Sequence, residues 1–452
     1  MVQFQYIEIE GKRTLLLARG DIDIMSNKAK FVLRRIMATI MIVALIFSVP
    51  TISIESGIEG NCTSVYAQTA SKPTYVKVPF RYGRAKLENR SQRYIYDSIL
   101  KTVQKNKKKV FFDTKKYKLS QKNLDYAEFA FMFDYPEYEY CNVRYYYTEM
   151  RGKREYVTGV VFDYYKPMQK KKAALDRKIK KIVEEIPATC VTDYDKALYL
   201  HDYLCKNIKY NEDNKKWCYS AYGALLQGKC VCDGYSKAYN LLLNRAGIKA
   251  WKVDGHCYEE DGTLSDEGHA WNIMWIDEKC FYADVTWDDS PEDNIYYTYF
   301  CKSRETMDKA RVVLYGNNNN ESKYYNQFLR KAIPECHHDE SEYLPPGTIK
   351  ITGPLNYDLY KYIENSFGQA YPLYDDEDGI NKFARKVDLY YDGNEDLKKW
   401  LESYDMSIGF VGETWYGIYE CGNMYTYEIM GLNNPTATVR RLEPWLDLNS
   451  LS

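Results

Sequence analysis

Cys232, His269 and Asp284 are the residues whose types and spacing fit nucleophilic acyl chemistry. Cys232 lies in the run Gly228-Lys229-Cys230-Val231-Cys232-Asp233-Gly234-Tyr235. Residues 238–243 are apolar apart from Asn240, and Gly247 follows shortly after. Length and content predict a helix buried on most faces, with Gly247 just past its end. Cys232 then stands at the helix N-terminus, where unpaired backbone N–H groups and the dipole favour negative charge. A thiol so placed is more acidic than a free one, which predicts a thiolate nucleophile. Cys230, two positions earlier, is the alternative nucleophile.

A thiolate that attacks an amide needs a proton carrier. Residues 268–276, opening Gly268-His269-Ala270-Trp271-Asn272, read as a strand, and residues 280–287 read as the next. Asp277-Glu278-Lys279 joins them at hairpin length. In the second strand Phe281, Ala283, Val285 and Trp287 alternate with Tyr282, Asp284 and Thr286, so Asp284 is expected on a hydroxyl-bearing face. An aspartate beside a histidine fixes its tautomer and stabilises the imidazolium. Ideal pairing across that turn would set His269 nearer Trp287 or Asp288 than Asp284. A bulge, or a histidine just before the strand proper, is therefore expected, and Asp288 is the alternative orienting acid. His201 and His256 read as structural, and Trp271 and Trp287 as core positions. The backbone N–H of Cys232 is one natural oxyanion donor, and Gln227, Trp217 and Tyr219 are candidates for the second.

The three blocks VCDGYSKAY, GHAWN and ADVTWDD, in this order and spacing, resemble the transglutaminase-like superfamily, whose core is papain-like. The segment HDYLCKNIKY at 201–210 is similar to the stretch that precedes this core in bacterial members. The likeness covers about residues 190–305. It implies an α+β fold in which the nucleophile sits at the N-terminus of a buried helix packed on an antiparallel sheet. It also implies Cys232 as nucleophile, His269 as general base and acid, and Asp284 as orienting acid. Attack on a carboxamide would give a thioester. A lysine amine as acceptor yields an isopeptide cross-link; water yields deamidation or proteolysis. The same three residues serve all of these. No metal or organic cofactor is implied, and calcium dependence, known in some relatives, has no loop motif here to support it. Some members lack part of the triad and act as interaction modules, so an idle module at the cell surface is the alternative reading.

The elements that must position these residues occupy the middle of 452 residues. At 45% hydrophobic and 28% charged, the chain can bury a core. Its 62 Lys plus Arg against 63 Asp plus Glu exclude a generally basic nucleic-acid binder. The expected partner is a protein or peptide substrate. Residues 254–293 hold thirteen acids and one lysine, which would favour cationic substrates if they ring the cleft.

Residues 1–67 read as an export signal. Lys28, Lys30, Arg34 and Arg35 precede an apolar run over 36–49, and cleavage is expected after Ala67. Extended to residue 54, the run becomes an uncleaved anchor, the one membrane contact expected. Met25 is a candidate start. Residues 68–165 read as an α+β region, 166–310 as the catalytic domain, 311–347 as a linker, and 348–452 as a C-terminal α+β domain of unknown role. Export makes the twelve cysteines disulfide-permissive, and an odd count after loss of Cys62 leaves one thiol unpaired. Cys336-His337-His338-Asp339 looks metal-like, but no second ligand cluster answers it.

Overall fold

A computed structural model describes residues 5–9, 12–16, 74–77 and 79–431, apart from 212, 214, 260, 290–294, 314–322, 339, 369–370, 374–381 and 405–413. Residues 1–67 and 68–452 form separate units. In the first, Gln5–Ile9 pairs antiparallel with Lys12–Leu16. The apolar run over 36–49, its extension to residue 54 and the cleavage point after Ala67 lie outside the described residues. No helix among the described residues is long and apolar enough to cross a membrane.

The second unit is built around the helix Cys232–Arg245 and a four-stranded sheet. Strand order is Lys279–Ala283, Leu264–Ile276, Ala250–Tyr258, Arg311–Val312, with every neighbour antiparallel. Both faces of this sheet are covered. Ala250, Met274, Ile276, Phe281 and Ala283 share a core with Tyr239, Leu242 and Leu243 of the Cys232 helix. The alternate residues Trp251, Val253, Trp271, Ile273, Cys280 and Tyr282 belong to a second core on the opposite face. That is why these strands carry apolar residues at successive positions.

Two helices complete the first core. Lys172–Glu184 buries the stripe Leu175, Ile179 and Ile182. Asp193–Asn207 buries Ala197, Leu200 and Leu204. Its start is fixed by Thr192, whose hydroxyl accepts from Asp195 N–H while the Asp195 carboxylate accepts from Thr192 N–H. The second core is supplied from earlier in the chain. Helices Arg90–Gln104 and Gln121–Asp134 contribute Ile95, Tyr96, Leu124 and Phe131 to it. They are accompanied by the sheet Lys109–Phe111, Arg154–Tyr164, Cys141–Arg151.

Residues 311–347, expected from their polarity as a linker, carry structure. Arg311–Val312 closes the central sheet by pairing with His256 and Cys257. The helix Lys323–Ala332 buries Phe328, Leu329 and Ala332 in the second core, and Cys336 is disulfide-bonded to Cys280. Three apolar residues at helical spacing suffice to dock that helix, and a compositional average hides them. The turn after Ile276 also differs from expectation. It has two residues, Asp277 and Glu278, with φ of 49° and 63°, and Lys279 already pairs with Ile276. That backbone matches the strand twist.

The C-terminal region has its own core of Leu359, Ile363, Leu389, Leu397, Leu401 and Tyr427. Its sheet orders Ile349–Ile351, Lys382–Tyr391, Met424–Gly431, Thr414–Cys421, and the first pair is parallel. It meets the central unit through Tyr296, whose hydroxyl donates to the Glu428 carboxylate at 3.1 Å, and through the Thr298 and Thr426 hydroxyls at 3.2 Å.

Candidate active site

Cys232 is the first residue of its helix, and the N-cap residue Val231 provides no side-chain cap. The local chain folds this way because two backbones meet under the first turn. Val231 N–H donates to Cys218 O at 3.1 Å, and a Cβ on Gly234 would lie 2.8 Å from both Cys218 O and Cys230 Sγ. Only glycine fits there. Cys230, the alternative nucleophile, is fully buried beneath this turn, and burial pushes its thiol up well above the ordinary range. Cys232 instead opens on a cavity of about 390 Å³ that His269 also lines.

His269 lies inside the strand Leu264–Ile276, opposite Gly255, rather than at its start. Its Nε2 sits 2.7 Å from Asp284 Oδ2, which leaves Nδ1 for Cys232. Burial pulls the imidazole pKa down. The Asp284 carboxylate, with a hydrogen bond from the Cys232 side, outweighs it and raises the pKa to about 9.

Asp284 reaches His269 by a route other than the expected bulge. The strand ends at Ala283, opposite Asn272, and residues 285–287 do not continue it. Asp284 is the N-cap of a helical turn, Val285–Asp288. Its Oδ1 accepts from Thr286 N–H at 3.1 Å and Trp287 N–H at 3.3 Å. The cap swings the carboxylate out of the pleat and aims Oδ2 back at His269, so strict register does not apply. The same Oδ2 accepts from Arg311 Nη1. Burial would raise the Asp284 pKa, but His269 and Arg311 together hold it down at about 2.

Asp288, the alternative orienting acid, is engaged elsewhere. Its Oδ2 lies 3.2 Å from Nε2 of His201, and its Oδ1 accepts from Tyr299 N–H at 2.9 Å. His201 is itself fully buried, with Nδ1 on Asp202 at 3.2 Å. Burial lowers its pKa, and the two carboxylates overcome this to raise it to about 9. His256 Nδ1 bonds Ser265 O at 2.9 Å, a link between strands. Trp271 is buried and stacks against His269 at 5.9 Å, and Trp287 lies tilted against it at 5.4 Å.

The cavity walls come from three parts of the chain. Phe129, Met132, Phe133 and Pro136 form an apolar side, and Tyr325 continues it. Tyr219 stands near Cys232 on the lining, whereas Trp217 and Gln227 are not part of it. The Gln227 amide donates to Tyr222 Oη at 2.9 Å. The floor is a charge network: Asp233 takes Lys237 at 2.6 Å and Lys252 at 2.8 Å, and Lys252 also meets Asp254. Burial opposes ionisation of Asp233, but the two ammonium groups hold its pKa at about 2. Asp254 alone of the described acids in 254–293 lines the cavity. Among the described residues of 254–293 the acids do not ring the cavity: Asp284 and Asp288 are buried in pairs, and Asp277 and Glu278 make the distant turn. The apolar side and Arg311 carry no local sequence signal of their role; both reach the site by tertiary packing.

Among the described residues no group of three or more His, Cys, Asp or Glu is placed to hold a metal ion. Cys336 of the metal-like run is in the disulfide, and His337 faces Glu335 at 2.9 Å on the surface. Nine other cysteines are free among the described residues, Cys232 included.

Comparison with known proteins bears on the same region. Residues 180–287 match the model of the transglutaminase-like superfamily. The human kyphoscoliosis peptidase is 23% identical over 142 residues, covering 29% of this chain and 21% of that protein. This chain thus spans about a fifth of the length of that curated relative. Among solved structures, a proposed cysteine protease of Cytophaga hutchinsonii is 17% identical, covering 27% of this chain and 40% of its own, with a TM-score of 0.22. A TGase is 13% identical over 54% of this chain and 59% of its own, with a TM-score of 0.23. A proposed protease of Parabacteroides distasonis is 10% identical over 65% and 57%, with a TM-score of 0.21.

Proposed function

We propose, from the match of residues 180–287 to the transglutaminase-like superfamily, that the protein is a cysteine enzyme acting on protein or peptide amides. Cys232 is the nucleophile, His269 the general base and acid, and Asp284 the orienting acid. The observation that carries this reading is the opening of Cys232 and His269 on one cavity, with Asp284 behind the imidazole at 2.7 Å. With a pKa of about 9, His269 is an imidazolium at neutral pH and pairs with the attacking thiolate. The sulfur adds to the amide carbon. His269 gives its proton to the departing nitrogen, and a thioester on Cys232 remains. An amine or a water then attacks the thioester, His269 takes the incoming proton, and the thiolate returns. Asp284 stays ionised throughout and keeps Nε2 engaged, so that Nδ1 handles the transferred proton. The apolar side formed by Phe129, Met132 and Phe133 suits the carbon skeleton of a polypeptide substrate. The basic run and apolar stretch before residue 50 favour action outside the cytoplasm, free or held by that stretch.

The test incubates the full chain, as wild type and as Cys232→Ala, with a casein-like protein and a tagged primary amine. Products are read by intact and peptide mass spectrometry. Amine incorporation that disappears in the variant assigns acyl transfer. Cleavage or deamidation that disappears assigns hydrolysis. Product formation unchanged by Cys232→Ala would refute the assignment.

A further inference from the structure

Arg311 is fully buried, yet its guanidinium makes only part of the hydrogen bonds it can make. Nη1 donates to Asp284 Oδ2, while Nε and Nη2 have no hydrogen-bond partner among the described residues. Three rings enclose the cation instead: Trp287 at 4.1 Å, Tyr299 at 4.7 Å and Trp271 at 5.4 Å from the guanidinium carbon. Gly255 permits this placement, because a Cβ there would collide with Val312 O and Trp271 and push the strand Arg311–Val312 off the sheet. A buried ion pair gives little net stability against well-packed apolar residues of similar volume. A methionine in this aromatic box would avoid the desolvation cost, so the charge itself needs an explanation.

The charges around it supply one. The described ionisable groups that act most strongly on Arg311 are Asp284, Cys257 on the paired strand, Cys421 and Tyr299; Arg304, Asp308, Arg330 and Glu335 line a surface pocket with it. Burial pushes the Cys257 and Cys421 thiols up to about 12 and raises Tyr299 as well, so these three are neutral at pH 7. Asp284 is the one anion among the four. Asp288, next along, is paired with His201. On the far side of Asp284 stand His269 and Cys232.

We propose that Arg311 is a positioning residue of this site: its buried guanidinium, held on Asp284 Oδ2 and boxed by Trp271, Trp287 and Tyr299, fixes Asp284 as the ionised partner of His269. Arg311 lies outside the segment that matches the superfamily model, and the inference rests on the proposed roles of Cys232 and His269. Without the arginine, the buried carboxylate would be the stronger base toward Nε2–H and would stabilise the imidazolium further, so Nδ1 would give up its proton less readily. With the arginine, one oxygen is shared between two cations, the Nε2 proton stays on the ring, and the Nδ1 proton is the easier to transfer.

The test needs no known substrate. Iodoacetamide alkylation of Cys232 in the full chain is followed against pH, and the Cys232 peptide is quantified by mass spectrometry. Variants are Arg311→Met, Arg311→Lys and His269→Gln. Removing a positive charge about two hydrogen bonds from His269 moves the profile of Arg311→Met to higher pH by roughly one to two units. Arg311→Lys keeps the charge, so its profile keeps the wild-type position even where its stability falls. A purely structural arginine would alter stability and leave the profile in place. The inference is overturned if folded Arg311→Met superimposes on wild type, or if Arg311→Lys shifts as far as Arg311→Met. Should Arg311→Met fail to fold, a displaced Arg311→Lys profile alone overturns it. A wild-type profile whose inflections survive His269→Gln would instead refute the Cys232–His269 reading itself, a result separable from the fate of Arg311.

Discussion

Replacing Asp284 by asparagine isolates the charge that His269 depends on. The amide oxygen can still accept from Thr286 and Trp287 N–H, so the turn Val285–Asp288 keeps its cap. What disappears is a full negative charge 2.7 Å, atom to atom, from His269 Nε2, and the amide Nδ2 that takes the place of Oδ2 cannot accept from His269 or Arg311, so the unpaired Arg311 cation acts in the same direction. Taking the charge centres as about 4 Å apart and an effective dielectric near 20 gives about 4 kcal/mol, which corresponds to about three pH units. The imidazole pKa should therefore fall from about 9 to about 6. At pH 7.5 the imidazolium fraction drops from about 97% to about 3%. The chain has five histidines, so histidine-selective labelling gives a ring spectrum that can be titrated directly, with His269→Gln supplying the assignment. His201 is an internal control: its partners are Asp202 and Asp288, and its pKa of about 9 should stay put. A His269 resonance that titrates within half a unit of wild type in Asp284→Asn would refute the electrostatic argument. Joint movement of His201 would show that the variant had rearranged the whole region.

Stability should fall as pH rises from about 6.5 to about 9. Burial opposes the charge on His201 and His269, but their carboxylate partners raise both folded pKa values above the ordinary 6.5, so their contribution is complete below 6.5 and lost through about 9. Each is worth about 3 kcal/mol, and denaturation midpoints of wild type and His201→Gln across that window measure it. Asp284 behaves oppositely: its stabilisation is present above 3.8 and lost as pH falls through about 2, so Asp284→Asn should flatten the acid limb. Gly234→Ala forces a methyl group against Cys218 O and Cys230. It should cost about 1–3 kcal/mol and slow alkylation of Cys232, while Gly262→Ala meets nothing within 4 Å and serves as the strain-only control. Cys230→Ser should leave product formation within a few-fold of wild type in the amine-incorporation assay, whereas Cys232→Ser should abolish it; a reversed pattern would move the nucleophile.

The placement of Cys232 was legible because its signals are local: an apolar helix that stops at Gly247, with the cysteine at its start. His269 and Asp284 were legible as residues but not as geometry. Alternation from Phe281 to Trp287 continues the strand pattern, and nothing in it says that the pairing stops at Ala283. The tertiary reason is the cap, since the Asp284 carboxylate gains two backbone donors by leaving the sheet. The helix spacing of Leu175, Ile179 and Ile182 and the capping residue Thr192 were likewise readable within a few positions. Arg311 was not readable. It follows Asp284 at long range in a polar stretch, and its value depends on three rings and a carboxylate that only the folded chain assembles. The acidic count over 254–293 left the cleft open for a related reason, because composition records charges and not the directions they face.

The helix Gln121–Asp134 has a consequence for how this protein can diversify. Asn240, in the helix that begins with Cys232, donates its side-chain N–H to Phe133 O at 2.9 Å, so the apolar side of the cavity is tied to the helix of Cys232. Phe129, Met132, Phe133 and Tyr325 all fall outside residues 180–287, as does Arg311. The proposed reacting groups thus sit in one stretch of chain, and the apolar side of the cavity is lent by segments before and after it. Exchanges in those segments can retune which polypeptide is accepted while the bond-making machinery stays constant. A fragment cut to the matched segment alone would keep the chemistry's residues and lose the shape that selects what they act on.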